Sequence, residues 1–591
     1  MPIFTFDSSH SLGKVRAVDT RKVDVQVNSE EDLRKARVGQ LVTIALPGAS
    51  EEWLIAIIDK VVKTPVLEDE SVPVIADTEP TSSVALPRES VLNTVKLTLV
   101  GTVGLTTENK PRFSRSLVQV PEIDGSCFIL RDAQLQAFMN LLSVEGKTEH
   151  SLDMGRYTID ESATAYLDGN KLFQRHAALL GSTGSGKSWA VASILERAAQ
   201  LPSANLIVFD LHGEYGKLSY ARHLRIPGPE ELSKSDPSLL YLPYWLLNAE
   251  EMQTMFIDRS EFTAHNQVMV FQDAVIAEKK RGLEAEGRSD VLNAFTLDSP
   301  LPFCIDKVIA ELRRVNEEMV PGSGGKEKQG PFFGQFSRLL VRLNSKITDK
   351  RYGFLFQAPA SQNEYGSMAV MMERLMDYSD PKARVKIVDF SEVPAEILPV
   401  MVGLVARAIY QVQFWTDRDK RRPIAFVCDE AHLYLPKKEG KSPVEQRAVE
   451  NFEKIAKEGR KYGVALLIVS QRPSDVSDTI LSQCNNVVSL RLTNGEDQAT
   501  VRKLMPESLE GMMDTLPILD IGEALVVGDA VLLPSRIRVH PPNERPRSAT
   551  IDIWDEWRKQ PDSPDFAGAV ENMRRQNRDS RLRVTQRGKG A

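Results

Sequence analysis

A glycine-rich loop between two apolar segments carries the strongest chemical signal in the chain. The segment "ALLGSTGSGKSWAVASIL" (177–194) fits the spacing G-x-x-x-x-G-K-[ST]. A nucleoside triphosphate needs its phosphates surrounded by backbone N–H groups, and glycines allow that close approach. The lysine reaches the β- and γ-phosphates, the serine hydroxyl ligates Mg²⁺, and the following helix adds its N-terminal dipole. The sequence therefore predicts an ATP- and Mg²⁺-binding loop formed by Gly181, Ser182, Thr183, Gly184, Ser185, Gly186, Lys187, Ser188 and Trp189.

A second apolar run supplies the carboxylates that hydrolysis of ATP needs. The segment "PIAFVCDEAHLYLP" (423–436) reads as a buried strand that ends in Asp429 and Glu430. We expect Asp429 to hold Mg²⁺ through water and Glu430 to orient or deprotonate the attacking water. A buried strand that ends in an acidic pair without a catalytic role is the simpler alternative. The phosphate loop upstream favours hydrolysis.

Further polar residues flank the next predicted strand. "IVSQRP" places Gln471 at the carboxyl edge of the sheet, where it can contact the γ-phosphate. "KEGRKYG" presents Arg460 in an exposed turn, from which it could stabilise transition-state charge in a neighbouring subunit. A solvated charge at a helix end explains Arg460 equally well from the residues alone.

The segment "VFDLHGEYG" (208–216) combines Asp, His and Glu at a spacing that metal ligands also show. No further cysteine or histidine lies nearby in the sequence to complete a metal site. A polar loop at the edge of the nucleotide pocket is therefore the favoured interpretation.

The elements that position these residues follow from the apolar pattern. "NLIVFD" (205–210), "RVKIVDF" (384–390) and "VALLIVS" (464–470) are near-continuous apolar runs separated by helical patterns, which predicts a parallel α/β sheet. Residues 10–130 alternate in short runs with turn residues, which predicts a small β-barrel or sandwich. The acidic segment 66–90 reads as an excursion between two of its strands, and "PGSGGKEKQG" (321–330) as disordered.

Composition sets outer limits on the class of protein. At 591 residues, with 42% hydrophobic and 26% charged residues, the chain is a multidomain globular protein. A net charge of -7 argues against a protein that coats nucleic acid with its whole surface. Four scattered cysteines without C-x-x-C spacing exclude zinc ribbons and iron–sulfur clusters and indicate a reducing compartment. No apolar stretch approaches about 18 residues, so a cytoplasmic protein without a membrane segment is predicted.

Taken together, the motifs resemble the HerA branch of the HerA–FtsK ATPases. "LFQRHAALLGSTGSGKS", "FDLHGEYG", "VCDEAHLYLP", "EGRKYG" and "SQRPSDVSDTILSQCNN" stand in the order of that family across nearly the whole chain. The resemblance implies an α/β RecA-like P-loop ATPase core with a helical insertion and an N-terminal HAS-like β-barrel. It also implies a homo-hexameric ring with nucleotide at the subunit interfaces and double-stranded DNA in the channel.

The changes of pattern along the chain set the predicted domain boundaries, and the resemblance implies residue roles. The predicted domains are a barrel (1–145), the ATPase core (146–245 and 381–545), a helical-bundle insertion (246–380) and a C-terminal extension with a flexible basic tail (546–591). By matching motifs, Lys187 and Ser188 contact phosphate and Mg²⁺, Asp429 and Glu430 are the metal and catalytic carboxylates, and Gln471 senses the γ-phosphate. Arg460 and Arg175 match basic positions around the interfacial site, which favours a catalytic role for Arg460.

Two functions stay open. The leading one is an ATP-driven translocase of double-stranded DNA that works with a nuclease or another effector, in DNA-end processing or phage defence. The alternative is a nucleotide-gated ring scaffold that assembles and switches an effector, such as a sirtuin-like enzyme, with little translocation. Conjugative pumps usually carry membrane segments or a winged-helix DNA reader, and neither is visible here. The effector is expected to dock near the barrel, where the long acidic excursion leaves its identity open.

A basic loop after the acidic pair is the candidate DNA contact. "LPKKEGKSP" (435–443) carries Lys437, Lys438 and Lys441. Lysine contacts to phosphate need no sequence reading, which suits a translocase. A solvated surface loop is the alternative, since lysines are common on loops.

Overall fold

The computed structural model describes residues 4–46, 52–67, 89–117, 119–323, 326–437, 443–506, 509–547, 553–559 and 566–575. They form two compact units. The first comprises residues 1–172, 177–190 and 484–541, and the second comprises 173–176, 191–483 and 542–591. None of the helices within these ranges is long and apolar enough to cross a membrane.

The strands are β1 (Ser11–Asp19), β2 (Lys22–Val27), β3 (Leu41–Ala45), β4 (Trp53–Leu67), β5 (Glu89–Leu105), β6 (Pro111–Ser114), β7 (Ser126–Ile129), β8 (Ser151–Tyr157), β9 (Asp160–Asp168), β10 (Ala177–Leu180), β11 (Leu206–Asp210), β12 (Arg222–Arg225), β13 (Met319–Pro321), β14 (Glu327–Gln329), β15 (Val385–Asp389), β16 (Ile424–Cys428), β17 (Val464–Ser470), β18 (Asn486–Leu490), β19 (Glu523–Gly528) and β20 (Ser535–Val539).

The helices are α1 (Glu30–Lys35), α2 (Asp132–Gly146), α3 (Gly169–Gln174), α4 (Lys187–Ala198), α5 (Ala249–Phe256), α6 (Ala264–Ala285), α7 (Ser289–Leu292), α8 (Ile305–Asn316), α9 (Ser337–Thr348), α10 (Gly353–Phe356), α11 (Ser367–Met376), α12 (Leu398–Trp415), α13 (Pro443–Glu458), α14 (Asp478–Leu481), α15 (Gly495–Leu504), α16 (Glu510–Met513), α17 (Ile553–Arg558) and α18 (Phe566–Arg575).

The first unit begins with a closed barrel. Its strands follow the order β1, β7, β3, β4, β5 and β2, and the barrel closes because β2 pairs with both β1 and β5. Alternate residues of β2, namely Val23, Val25 and Val27, are buried in the barrel core, as the period-2 pattern requires. The small amino-terminal barrel predicted from the sequence is confirmed. Residues 68–88 of the acidic excursion lie outside the described residues.

The same unit holds the strand that precedes the phosphate loop. β10 is fully buried and pairs in parallel with β18. Antiparallel pairings then continue from β18 through β19, β20 and β8 to β9. The sequence analysis did not single out these antiparallel strands, because they lie among residues without a chemical motif.

The second unit is built on a parallel sheet in the order β12, β15, β11, β16 and β17. The registers Phe209↔Cys428 and Cys428↔Ile468 align the carboxyl ends of the last three strands. Residues that follow these strands therefore share one edge of the sheet, which we call the carboxyl edge. Residues that precede the strands share the opposite amino edge. The predicted α/β class is confirmed.

Two segments differ from the sequence predictions or extend beyond them. Helices α5 to α11 lie within 246–380, but part of the segment predicted to be disordered forms the β13–β14 hairpin, with Met319↔Gln329 and Pro321↔Glu327 paired. A close approach at Gly322 allows this turn, because a Cβ there would lie 2.7 Å from the Lys326 carbonyl oxygen. The prediction of disorder is therefore wrong for the paired residues.

In the C-terminal extension, α17 and α18 are helical, and residues 576–591 lie outside the described residues.

Candidate functional site

The phosphate loop follows β10 and ends where α4 begins. Gly184 (φ 74°) and Gly186 (φ 102°) adopt backbone conformations that L side chains rarely take. A Cβ at Gly181 would lie 2.6 Å from the Ser185 Oγ and 2.9 Å from the Leu490 Cβ. Glycine is therefore required at these positions by the shape of the loop itself.

Contacts within the first unit hold the loop in shape. Ser182 donates its N–H to the Arg491 carbonyl oxygen at 2.8 Å, and Gly522 donates its N–H to the Ser185 carbonyl oxygen at 3.1 Å. Lys187 is buried and its Nζ donates to the Ser182 carbonyl oxygen at 3.4 Å, so its ammonium group lies over the loop. The Ser185 Oγ is buried and has no hydrogen-bond partner among the described residues. A positively charged loop of this form fits a triphosphate.

The last residues of the loop enter α4. Ser188 is half-buried at the second position of that helix, while Thr183 and Trp189 are exposed. The Ser188 hydroxyl is therefore placed beside the positive N-terminal end of a helix, where phosphate oxygens and their cation are favoured.

The acidic pair lies at the carboxyl edge of the second unit. Asp429 and Glu430 follow β16 and are both buried, and Glu430 adopts a left-handed conformation (φ 46°) while its N–H donates to the Asp429 Oδ1 at 3.0 Å. Burial raises the pKa of Asp429 well above its usual value, and the carboxylates of Glu430, Glu214 and Asp210 add to the effect. A divalent cation would offset this concentration of negative charge. Nucleotide-bound Mg²⁺ takes most of its ligands from phosphates and water, so a single carboxylate fits it.

The loop 208–216 surrounds this pair from the neighbouring strand. Asp210 accepts the N–H groups of His212 at 3.2 Å, Glu214 at 3.1 Å and Tyr215 at 3.0 Å. Burial raises the pKa of Asp210 to about 6, and the charge of Asp389, its partner on β15, adds to this. The Asp210 carboxyl group therefore organises a loop that brings Glu214 and the fully buried Tyr215 close to the acidic pair.

A histidine that the sequence analysis missed lies between the Glu430 carboxylate and the next strand. The His432 Nδ1 lies 3.3 Å from the Glu430 Oε2 and 3.3 Å from the Ser470 Oγ. The Ser470 Oγ also accepts the N–H of Arg472 at 3.0 Å, and half-buried Gln471 lies between these two residues. At the carboxyl edge, Glu430, His432 and Ser470 thus form one polar network, and Gln471 directly follows Ser470 in the chain. The motif "DEAH" in the sequence was the signal that could have identified His432.

Arg460 lies at the opposite edge of the same sheet. It is exposed in the turn Gly459–Tyr462, which connects α13 to β17. The seven residues of β17 separate this turn from the carboxyl edge, a distance of about 20 Å for an extended strand. The turn is tight, since a Cβ at Gly459 would lie 2.7 Å from the Val464 carbonyl oxygen. The Tyr462 ring packs 5.1 Å from the ring of Phe414 and holds the end of the turn.

Arg175 is exposed in the segment between α3 and β10. It precedes His176, a buried residue with φ 49° that the sequence analysis also missed. His176 contacts the backbone of Ala456 and of Leu466, which places Arg175 at the amino edge with Arg460.

The candidate DNA loop is described only in part. The Lys437 Nζ lies 3.3 Å from the Asp478 Oδ1, and the Lys437 N–H donates to the Asp475 carbonyl oxygen at 2.9 Å. Lys438 and Lys441 lie outside the described residues. The role of this loop stays a prediction.

Two family models match the ATPase part of the chain. The model described as "Helicase HerA, central domain" matches residues 152–409, and the model described as "Helicase HerA-like C-terminal" matches residues 362–560.

Curated proteins and solved structures show similarity over two thirds of the chain. The DNA double-strand break repair helicase HerA of Pyrococcus furiosus is 25% identical over 457 residues, 69% of this chain and 74% of that protein. The protein of the same name from Saccharolobus solfataricus is 25% identical over 399 residues, 67% of this chain and 70% of that protein. VirB4 of Thermoanaerobacter pseudethanolicus has a TM-score of 0.42 and 17% identity, covering 67% of this chain and 97% of that chain. Plasmid coupling protein TrwB in complex with ADP and Mg²⁺ has a TM-score of 0.42 and 14% identity. The match covers 68% of this chain and 91% of that chain.

Proposed function

Because the chain belongs to the HerA–FtsK superfamily of P-loop ATPases and is itself an ATP-hydrolysing enzyme, we propose that it is a hexameric motor that translocates double-stranded DNA. Similar proteins named as DNA double-strand break repair helicases support DNA as the substrate. A nuclease or another effector works with the motor, in DNA-end processing or in phage defence.

The proposed residue roles are assigned within each unit separately. Lys187 and Ser188 contact the phosphates and Mg²⁺, and Asp429 contacts Mg²⁺ through water. The cation neutralises phosphate charge when it is bound. Glu430 activates the attacking water, and Gln471 responds to loss of the γ-phosphate through the polar network at the carboxyl edge.

The positions of Arg460 and Glu430 carry the proposal of a ring. The two residues lie at opposite edges of one sheet, and β17 spans about 20 Å between those edges, which exceeds the length of an arginine side chain. Arg460 therefore serves a γ-phosphate that is attacked beside the Glu430 of another subunit. Head-to-tail packing of identical subunits repeats this contact around a closed ring.

Single substitutions separate nucleotide binding from hydrolysis. Lys187→Ala removes the charge that neutralises phosphate, so we expect ATP affinity to fall at least 10-fold. Glu430→Gln leaves the phosphate loop unchanged and removes the base, so ATP binds normally and turnover falls at least 100-fold. Equilibrium binding of a fluorescent ATP analogue and steady-state phosphate release measure both effects. Equal loss of binding in the two variants contradicts these roles.

Displacement of a triplex-forming strand from duplex DNA tests translocation directly. We expect the wild-type ring to displace the strand only with ATP, and the Glu430→Gln ring to bind DNA and ATP without displacement. Duplex DNA should also stimulate ATP hydrolysis. An intact ring that hydrolyses ATP without displacement and without stimulation by DNA contradicts the motor and favours the scaffold function.

A further inference from the structure

A buried histidine joins three segments at the amino edge of the second unit. His176 is 3% exposed and follows Arg175. Its Nε2 lies 3.0 Å from the Ala456 carbonyl oxygen in α13, and its Nδ1 lies 3.0 Å from the Leu466 N–H nitrogen in β17. One imidazole ring therefore connects the helix before the Arg460 turn to the strand after it.

The two backbone contacts determine which nitrogen of the His176 ring carries the proton. The N–H of Leu466 is a donor, so the Nδ1 of His176 accepts and carries no proton. The proton of the neutral ring is then on Nε2, which donates to the Ala456 carbonyl oxygen. Burial lowers the pKa of His176, and the positive charge of Arg460 acts in the same direction, so the neutral ring is favoured.

The backbone at His176 indicates that the surrounding structure enforces this arrangement. Its φ of 49° is uncommon for residues other than glycine, and such conformations persist where neighbouring contacts fix them. The left-handed turn buries the ring while Arg175, one residue earlier, stays exposed. Arg175 thus adjoins the residue that carries the ring, and Arg460 lies in the turn between the two segments that the ring contacts.

We infer that His176 is a positioning residue that holds the Arg460 turn, and Arg175 beside it, in the orientation that reaches the nucleotide of a neighbouring subunit. The inference rests on the proposed role of Arg460 between subunits. Ala456 lies four residues before Arg460, so loss of its contact frees the helical end of the turn. The packing of Tyr462 holds only the other end. Displacement of a reacting group by about 1 Å costs on the order of 100-fold in rate.

Two substitutions each keep one of the contacts of the ring. His176→Asn keeps an amide oxygen near the position of Nδ1 and so retains the acceptor for Leu466. His176→Gln keeps an amide nitrogen near the position of Nε2 and so retains the donor to Ala456. We expect kcat to fall about 10- to 100-fold in His176→Asn and less in His176→Gln, with the KM for ATP unchanged in both.

A purely structural role for His176 predicts the opposite order of kcat for these two variants. Asparagine tolerates a left-handed backbone better than glutamine, so a purely structural role predicts a higher melting temperature and a higher kcat for His176→Asn. An order of kcat that follows melting temperature, or equal losses of kcat, overturns the inference. His223→Asn is a matched control, because it removes a comparable contact of 2.9 Å to the Leu218 carbonyl oxygen in the same unit. Its kcat should stay at the wild-type value.

Mixed rings show whether the defect acts on the neighbouring subunit. In a ring of His176→Asn and Glu430→Gln subunits, an intact Glu430 meets an intact His176 at about one quarter of the interfaces, assuming equal amounts and random order. We expect these interfaces to hydrolyse ATP, so the mixture exceeds the average of the two unmixed rings. Co-assembly is verified by differently tagged subunits. A mixture that equals the average means that the defect stays within its own subunit and overturns the inference.

A parallel mixture of Arg460→Ala and Glu430→Gln subunits separates the two proposals. If this mixture recovers activity while the His176→Asn mixture does not, the inference about His176 fails and the role of Arg460 between subunits stands. If neither mixture recovers activity, the role of Arg460 between subunits fails, and the inference fails with it.

Discussion

Two side chains at the ends of neighbouring strands, His432 and Ser470, lie beside the Glu430 carboxylate that we propose as the catalytic base. His432 lies 3.3 Å from both the Glu430 Oε2 and the Ser470 Oγ, and Ser470 directly precedes Gln471. We therefore expect loss of the proposed γ-phosphate contact at Gln471 to change the orientation of Glu430 through Ser470 and His432. The left-handed backbone conformation of Glu430 further restricts where its side chain can point.

Substitution of His432 by alanine tests this support. We expect kcat for ATP hydrolysis to fall about 10- to 100-fold, as is typical when a residue that orients a catalytic ligand is removed. ATP affinity should stay near the wild-type value, because His432 lies at the carboxyl edge and outside the phosphate loop. Single-turnover hydrolysis and nucleotide binding separate the two quantities. A loss of affinity equal to the loss of kcat argues against an orienting role.

The lowered pKa of His176 predicts how stability depends on pH. The unfolded chain binds a proton at this residue near pH 6.5, and the folded protein does so only at lower pH. Between these values the unfolded state holds more protons, so the free energy of unfolding falls as pH falls, by at most about 1.4 kcal/mol per pH unit. The stability advantage of the wild type over His176→Asn should therefore shrink from pH 7.5 to pH 5.5. Thermal unfolding at both values measures it, and a constant difference contradicts the assignment.

Sequence spacing identified the residues of the local motifs and missed those whose partners are distant. The loop 181–188 and the pair Asp429 and Glu430 are each defined within a few positions, because one turn or one strand end places them. His176 contacts residues 280 and 290 positions away, so nothing in its local sequence shows that its ring is buried. Only the folded sheet brings these segments together.

At the scale of elements, a buried ion pair connects the helical insertion to the core helices of the second unit. Arg407 of α12 donates to the Glu251 carboxylate of α5 at 2.9 and 2.7 Å, and to the Leu246 carbonyl oxygen at 2.8 Å. The Glu251 Oε2 also accepts the N–H of Asn248 at 3.0 Å and completes a capping box. The Asn451 Nδ2 of α13, the helix that leads to Arg460, lies 3.4 Å from the Glu251 Oε1.

Removal of one partner should destabilise this junction more than removal of both. Arg407→Met leaves the Glu251 carboxylate buried without its cation, which costs about 3–5 kcal/mol. The double variant Arg407→Met with Glu251→Met should recover much of that loss, since neither charge remains. Hydrogen exchange of α5 and the onset of thermal unfolding measure the effect. Additive losses in the double variant contradict coupling between the two side chains.

The buried parallel strands could be predicted, and the short paired strands could not. The segments of β11, β15, β16 and β17 are continuous apolar runs, because both faces of the sheet are covered. The hairpin β13–β14 contains mainly exposed residues, and its backbone pairing leaves no apolar pattern to detect. The strand β12 (Arg222–Arg225) is half-buried, but its polar residues also leave no apolar run to detect.

At the scale of the whole molecule, the two edges of the parallel sheet carry candidate site residues of opposite charge. The carboxyl edge carries Asp210, Asp429 and Glu430, whereas the amino edge carries the exposed arginines Arg175 and Arg460. A ring that packs the amino edge of one subunit toward the carboxyl edge of the next brings opposite charges together at each nucleotide. Electrostatic complementarity of this kind favours one order of packing over its reverse.

We predict that the loop after the acidic pair contacts DNA in the proposed ring. Lys437, Lys438 and Lys441 follow Glu430 closely in the chain, so we expect a change at the proposed site of hydrolysis to reach them over a short segment. Lys437 also pairs with Asp478, a contact that a DNA phosphate can replace. Substitution of the three lysines by alanine should weaken duplex binding. If each lysine neutralises one phosphate, the plot of log K against log salt should also become less steep, by about 3 in slope. Stimulation of ATPase by DNA should disappear, while basal ATPase and assembly persist. Lys326→Ala with Lys328→Ala, in the exposed hairpin segment, controls for the loss of two of the three positive charges at another place on the surface. Unchanged affinity and slope in an intact triple-variant ring would place the DNA contacts on other residues.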